Sequence, residues 1–583
     1  MNLKELEISS EIFDFIKKNR SHFNNLKRAN LFLKGSCGII NFFDTSNQLD
    51  DLRLLITEKE NIIQEEPDRR EYGDFQTNKN LALKSVQYIL SMDTKVEFDY
   101  VVEPTCGKGS FILAALSQIE TLKKVIGIEI YQPYIWKTKF KILEFYIQNP
   151  QRTKPEIEII HANVFDFDFE KLSNETRDYT TLVIGNPPWV TNSELGSIDS
   201  ENLPQKSNFK KHRGFDAITG KGNFDIGEYI ALMILRNFSS HNGYFGFLIK
   251  NAVVKNLLYD QKHNNFRISK IEKLNIDSTK EFNVSVDACL FLAKLNKEPE
   301  FSCMELDFYT KEKRTSFGWF DDSYVYSISD YQEANDIEGK SQFIWRQGIK
   351  HDCSKVMEIE RYNDHFKNGL DQEVEIENDL VFGLLKSSDL KVKQTNSYRK
   401  LTIITQKKIG QNTDYIHKDY PLTFEYLWKN KDYFDKRKSS IYKGKPNFSI
   451  FGVGDYSFMP YKVAVSGLYK STHFTLVLPE NGKPIMLDDT CYFISFNKLP
   501  QARIAHYLLN HEHTQQFLKA IIFPDSKRSI TKDVLMRINF HKLYSLFDPS
   551  SVQNDLDAVT LEEWEAFGEL TGKKQGNEQM TLF

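Results

Sequence analysis

At 583 residues the chain is too long for one ordinary core, so two large domains plus extensions are expected. Hydrophobic (40%) and charged (27%) shares are those of a soluble globular protein. No apolar run reaches the ~18 residues of a membrane span, and no signal-peptide pattern opens the sequence, so a cytoplasmic location without a membrane partner is expected. The cysteines (Cys37, Cys106, Cys289, Cys303, Cys353, Cys491) lack CxxC spacing, which argues against a zinc site or a disulfide framework. The net charge of −4 speaks against a polyanion partner, but its distribution speaks for one. Lys391 to Thr413 holds six basic residues and no acidic one. Lys429 to Lys445 holds seven, including Lys436, Arg437 and Lys438, against Asp432 and Asp435. Lys206 to Lys221 adds five against Asp216.

Residues 1–66 alternate charged and apolar side chains at helical spacing (Ile12, Phe13, Phe15, Ile16; Leu52, Leu54, Leu55) and read as a helical lead-in. Over 67–297 the pattern becomes strand, turn, helix, repeated. Strands are expected at Tyr100–Glu103, Val125–Glu129, Ile157–Ile160, Thr181–Ile184, Gly243–Ile249, Ile271–Leu274 and Ala288–Leu292. Short apolar strands separated by helical segments predict an α/β fold with a doubly wound, mostly parallel sheet. The alternation is lost past residue 300, so 298–345 is expected to connect, 346–545 to form a mixed α+β domain, and 546–583 an acidic helix and loose tail.

Glu103-Pro104-Thr105-Cys106-Gly107-Lys108-Gly109 follows the first strand and opens a helix. Its glycines allow a tight turn that a ligand can approach at the sheet's carboxyl edge. A GxG alone is weak evidence. The next strand, however, ends in Glu129, whose carboxylate can accept both ribose hydroxyls of a nucleoside. With no third glycine and no pyrophosphate loop, a nucleoside without phosphates fits better than a dinucleotide, and S-adenosylmethionine is one.

The most specific signal is Asn186-Pro187-Pro188-Trp189 directly after the fourth strand. Two prolines stiffen the loop and donate no hydrogen bonds, so the Asn186 side chain and the Pro187 carbonyl become fixed acceptors. Two acceptors on the hydrogens of an adenine amino group favour a pyramidal nitrogen with an available lone pair. Trp189 would stack on a base taken out of the duplex.

These blocks, in this order from about Tyr72 to Leu295, resemble the N6-adenine DNA methyltransferases of bacterial restriction–modification systems. The resemblance implies a class I S-adenosylmethionine-dependent methyltransferase domain (67–297) and a C-terminal target-recognition domain, where the basic runs, with Lys436, Arg437 and Lys438, point to double-stranded DNA. It implies that Thr77, in Tyr72-Gly73-Asp74-Phe75-Gln76-Thr77, contacts the methionine part of the cofactor. It places Asn163 and Val164 beside the cofactor's adenine and Phe282 on the other face of the flipped base from Trp189. The sequence has Asn78 where the family often has proline, and Asn163 where it often has an acid. Gln347–Cys353 and Phe451–Phe458 resemble recognition-domain segments of the longer members. A separate cognate restriction endonuclease would be the partner enzyme. RNA adenine and protein glutamine methyltransferases on the same fold are the alternatives. The final Gln579-Met580-Thr581-Leu582-Phe583 resembles the peptide by which bacterial DNA-processing proteins attach to the sliding clamp, through Gln579, Leu582 and Phe583.

Overall fold

The computed structural model describes residues 8–57, 74–191, 225–363, 365–469, 471–524, 528–548, 556 and 559–572. The basic run 206–221, the start of the Tyr72–Thr77 motif and the terminal Gln579–Phe583 lie outside these described residues. The chain forms two compact units, Met1–Tyr324 and Val325–Phe583.

The first unit is built on a twisted sheet. All seven expected strands are present: β1 (Tyr100–Glu103), β2 (Lys124–Glu129), β3 (Glu156–His161), β4 (Thr181–Gly185), β5 (Gly243–Lys250), β6 (Ile268–Ile276) and β7 (Ala288–Leu295). Their order is 3-2-1-4-5-7-6, with β7 antiparallel to both neighbours and the other adjacent pairs parallel. β2, β4 and β5 are buried almost throughout, the burial that makes parallel strands read as unbroken apolar runs, whereas outermost β3 alternates. Helix α4 (Lys79–Met92) precedes β1, and helices fill the crossovers: α5 (Ser110–Gln118), α6 (Gln132–Gln148), α7 (Phe169–Thr176), α8 (Ile226–Phe238) and α9 (Asn251–Asn264). Asn78 caps α4 by accepting a hydrogen bond from Leu81 N at 2.8 Å. An N-cap asparagine satisfies one of the helix's otherwise unpaired first-turn N–H groups.

Two expected boundaries shift. The lead-in is helical at Ser10–Lys18, Leu26–Cys37 and Ser46–Thr57, but Ile12, Ile16, Leu33 and Cys37 belong to the same apolar core as the sheet. Lys139 of α6, buried, donates to the carbonyls of Asn41 (3.0 Å) and Phe42 (2.9 Å), and burial pushes its ammonium down to about 8. Gly38 and Ile40 hydrogen-bond both sides of Ile157 on β3, at 2.9 and 3.0 Å. The start of the expected connector is also not a linker: β8 (Ser302–Asp307) pairs parallel with β6, and β9 (Lys313–Phe320) pairs antiparallel with β8. Its charged residues disguise it, because Glu305 pairs inside the sheet with buried Lys273 at 3.4 Å.

The second unit is mixed α+β. One sheet runs Glu373–Val374, His365–Asn368, Glu358–Tyr362, Lys400–Ile403, Val381–Leu385, Met486–Leu487; the other runs Arg346–Gln347, Cys491–Phe496, Tyr461–Ser466, Thr475–Val477, Gln394–Thr395. The two glycine-bearing segments singled out above are neighbours: Lys350 and Phe451 exchange backbone hydrogen bonds at 2.9 Å each way. A Cβ on Gly452 (φ +70°) would lie 2.1 Å from the Gly348 carbonyl oxygen, so these glycines serve close backbone packing. Arg437 is likewise internal. It donates to the carbonyls of Phe434 (3.0 Å), His351 (3.3 Å) and Ser449 (2.7 Å), and its guanidinium lies 3.7 Å from the Tyr442 ring centre. Lys436 and Lys438 are exposed. Of the Lys391–Thr413 run, Arg399 pairs with Asp389 and Lys400 with Glu360, leaving Lys391, Lys393, Lys407 and Lys408 on the surface. Among the described residues no helix is long and apolar enough to cross a membrane.

Candidate active site at the carboxyl edge of the sheet

The strand order reverses direction at β1, which lies between β2 and β4, and the connections leaving β1 and β4 diverge to open a crevice above their carboxyl ends. A cavity there is walled by Thr77, the Glu103–Gly107 loop, Glu129, Asn163, Val164, Asn186 and Pro188. Residues more than a hundred positions apart are thus brought together. Gly109, Pro187, Trp189 and Phe282 do not line it.

The loop after β1 is shaped by its glycines. Gly107 has φ +50°, and a Cβ there would stand 2.7 Å from Gln76 Oε1; Gln76 Oε1 accepts from Lys108 N at 3.0 Å. Gly109, at φ +75°, starts α5, and its missing Cβ makes room for Thr138 of α6. It serves helix packing rather than the cavity wall. Glu129 accepts from Gly107 N (2.8 Å) through one oxygen and from Tyr131 N (2.7 Å) through the other. These two bonds fix the orientation of the carboxylate at the mouth of the cavity. Glu103 is only 2% exposed, and its Oε2 accepts from Ile112 N at 3.2 Å. Burial, with Glu129 close by, pushes its carboxyl well above the usual range. Cys106 is held as a thiol by the same burial. The Asn163 amide oxygen turns onto its own loop, accepting from Phe165 N at 3.0 Å.

Ile130, Tyr131, Phe165 and Ile226 complete the apolar walls, and Gln76 braces the glycine loop; sequence reasoning missed all five as site residues. Ile130 was the findable one, because it directly follows Glu129 at a strand end; it is 39% exposed.

The reactive loop is more tightly specified. Asn186 Nδ2 donates to the Phe75 carbonyl (2.7 Å) and to Thr77 Oγ1 (3.2 Å). A carbonyl oxygen can only accept, so the amide's orientation follows: the NH2 faces Phe75 and the oxygen faces the opposite way. That oxygen, Asn186 Oδ1, is buried and has no hydrogen-bond partner among the described residues. Buried acceptors are rarely left so, and the exceptions call for a cause. Beyond the loop, the Val190 carbonyl accepts from Ile226 N at 2.9 Å, and Asp225 pairs with Lys250 at 2.7 Å, both side chains largely buried.

Trp189 differs from expectation. Its indole N–H donates to the Leu248 carbonyl at 3.1 Å, and the ring is 6% exposed. Phe282 meets it edge to face, with centroids 4.8 Å apart at 67°, and Phe75 packs at 5.5 Å. The rings therefore touch instead of facing each other across a slot, because the indole N–H is tethered inward. Among the described residues no cluster of metal-binding side chains occurs.

No family model matches the chain. Over 483 residues it is 38% identical to the type II methyltransferase M.NspV of Nostoc sp., a match covering 82% of this chain and 98% of that protein. In fold it is similar to the type IIL restriction–modification enzyme MmeI, solved in complex with DNA, at a TM-score of 0.51 and 10% identity, covering 97% of this chain and 90% of that one.

Proposed function

Because this chain belongs to the type II methyltransferase family of restriction–modification systems, we propose that it moves a methyl group from S-adenosylmethionine to N6 of an adenine in duplex DNA. Its catalytic unit has the class I S-adenosylmethionine-dependent methyltransferase fold. The observation that carries the adenine assignment is the orphaned Asn186 Oδ1. An exocyclic amino group carries two hydrogens and needs two acceptors; Asn186 Oδ1 and the Pro187 carbonyl are offered on a proline-stiffened loop.

The cavity residues fit the cofactor: Glu129 for the ribose hydroxyls, Ile130, Val164 and Phe165 as apolar surfaces for a purine, and Thr77 and Glu103 towards the amino-acid end. Bound there, the cofactor supplies the electrophilic methyl on its sulfonium. The protein's part is positioning and polarisation. Asn186 accepts one amino hydrogen, the Pro187 carbonyl the other, and the nitrogen lone pair turns out of the ring plane towards the methyl group. An amide is no base at neutral pH, so the surplus proton passes to water after transfer rather than to Asn186. Trp189, Phe75 and Phe282 form the apolar wall that an unstacked base meets, and Phe282 must part from Trp189 for the base to be held between them.

Incubation with methyl-labelled cofactor and duplex DNA, RNA or protein tests the reading. Label in N6-methyladenine from duplex DNA is expected; label in N4-methylcytosine, in RNA alone or in protein glutamine would replace it. For the DNA surface, Arg437 is the wrong probe because it holds its own domain together. Lys436→Gln with Lys438→Gln should weaken binding to all duplexes and reduce the slope of log affinity against log salt by up to about 1.8, ~0.9 for each phosphate that is no longer neutralised. An unchanged slope would place the DNA elsewhere. A cognate endonuclease is the expected separate partner, checked by cleavage of unmodified target DNA with the product of a neighbouring gene. The Gln579–Phe583 tail is proposed to bind the sliding clamp; fluorescence polarisation should detect the labelled peptide on clamp, and disappearance of the signal with Leu582→Ala plus Phe583→Ala checks it.

A further inference from the structure

Three acidic residues, Asp74, Glu103 and Glu129, line the cofactor cavity, and among the described residues on its wall there is no lysine, arginine or histidine. Glu103 occupies the deepest position of the three. It ends the central strand β1, and its Cγ lies 3.6 Å from where a Cβ on Gly185 would be, directly beside the reactive loop. Each element packed around it offers either a neutral group or another acid: α5 gives the Ile112 amide, β4 gives Gly185, β2 gives Glu129, and its own loop gives the Cys106 thiol. Lys108, the nearest basic residue along the loop, interacts electrostatically with Asp74 and holds its ammonium 5.1 Å from the Tyr134 ring centre.

A lone carboxylate at 2% exposure is costly to ionise next to a second acid, and one backbone amide does not offset that cost. The free protein therefore holds Glu103 as the neutral acid, consistent with the direction in which burial moves it. S-adenosylmethionine, by contrast, carries a sulfonium and an ammonium against one carboxylate. Resting on the cofactor reading above, the geometry points to a specific coupling: entry of the cationic cofactor drives Glu103 to ionise, so that binding releases one proton to the buffer. The balance is Glu103–COOH plus cofactor cation giving Glu103–COO− held against the cation, plus H+ in solution. No bond to carbon changes. Glu103 then acts as a counter-charge that forms on demand.

By linkage the sign is fixed. If the free protein is protonated and the complex is not, cofactor affinity rises with pH below the free carboxyl's titration and levels off above it, at up to about tenfold per pH unit. Calorimetric titration of the full chain with S-adenosylmethionine at about pH 6, where an α-amino group of ordinary pKa about 7.7–8.0 is charged both free and bound, isolates the protein's proton. The heat of binding should differ between phosphate and imidazole buffers by the amount expected for release of most of one proton. Glu103→Gln should remove that difference while still binding cofactor. Equal heats in the two buffers with normal affinity would overturn the proposal, as would an unchanged buffer dependence in Glu103→Gln. Should that variant not fold, the wild-type affinity between about pH 5.5 and 7.5 decides, a rise supporting the coupling and a flat profile sinking it. Absence of any binding heat at about pH 8 would remove the cofactor reading itself, and this coupling with it.

Discussion

Replacing Asn186 by alanine is expected to slow methyl transfer at least a hundredfold, about 2.7 kcal/mol or more, the range seen when one positioned hydrogen-bonding group is taken from a reacting centre. The reason lies in the amide's two ends. Its NH2 is spent on the Phe75 carbonyl and Thr77, and that anchoring turns its buried oxygen, unpaired among the described residues, away from Phe75. Alanine loses both. Aspartate separates the two roles: it keeps an acceptor but sets an oxygen against the Phe75 carbonyl, so it too should fail, although a residue needed only as an acceptor would tolerate it. Single-turnover transfer at saturating cofactor, with binding and melting temperature followed in parallel, reads the outcome. A rate above about a tenth of wild type, a loss under ~1.4 kcal/mol, would show that the orphaned oxygen is not the amino group's acceptor.

Glu129→Ala should weaken S-adenosylmethionine binding ten- to a hundredfold, about 1.4–2.7 kcal/mol. Two losses combine. Hydrogen bonds from the ribose hydroxyls to a charged acceptor disappear, and so does the brace that joins Gly107 N to Tyr131 N across the mouth of the cavity. Glu129→Gln keeps one acceptor oxygen and should fall between. Because the ribose is remote from the transferred methyl, the rate at saturating cofactor should stay within severalfold of wild type. Calorimetric affinity within twofold of wild type for the alanine variant would remove Glu129 from the cofactor site.

The catalytic sheet was readable because its strands are buried on both faces, so Thr181–Gly185 or Gly243–Lys250 can only be written in apolar letters. The same logic failed for Ser302–Asp307, where Glu305 is a strand residue inside a sheet and its partner Lys273 lies thirty-two positions back; pairing of buried charges leaves no one-dimensional mark. At the site, Asn186 and Glu129 were legible because each combines a chemically necessary side chain with a position at a strand end. The orientation of a ring is not encoded that way. Trp189 and Phe282 lie in contact, but the tether from the indole N–H to Leu248 depends on a backbone carbonyl that any residue would supply. Arg437 shows the converse error. Among Lys436 and Lys438 it looks like one more surface cation, yet its planar head stacks on Tyr442 and ties three carbonyls, a use of arginine that composition cannot distinguish from phosphate binding.

The backbone bonds from Gly38 and Ile40 to Ile157 also bear on solubility. β3 is the last strand on its side of a wide sheet, and an uncovered outer strand is a template on which another chain can add. By occupying both outward hydrogen-bonding groups of Ile157, the lead-in covers that template at one position with the protein's own chain. Gly38 makes the fit possible, since any side chain there would collide with the Pro155 carbonyl. A shortened form beginning near Tyr72 would keep every residue of the reaction centre and still present an open, apolar-backed edge to its neighbours. The minimal unit that stays monodisperse at high concentration is therefore larger than the minimal unit that contains the chemistry.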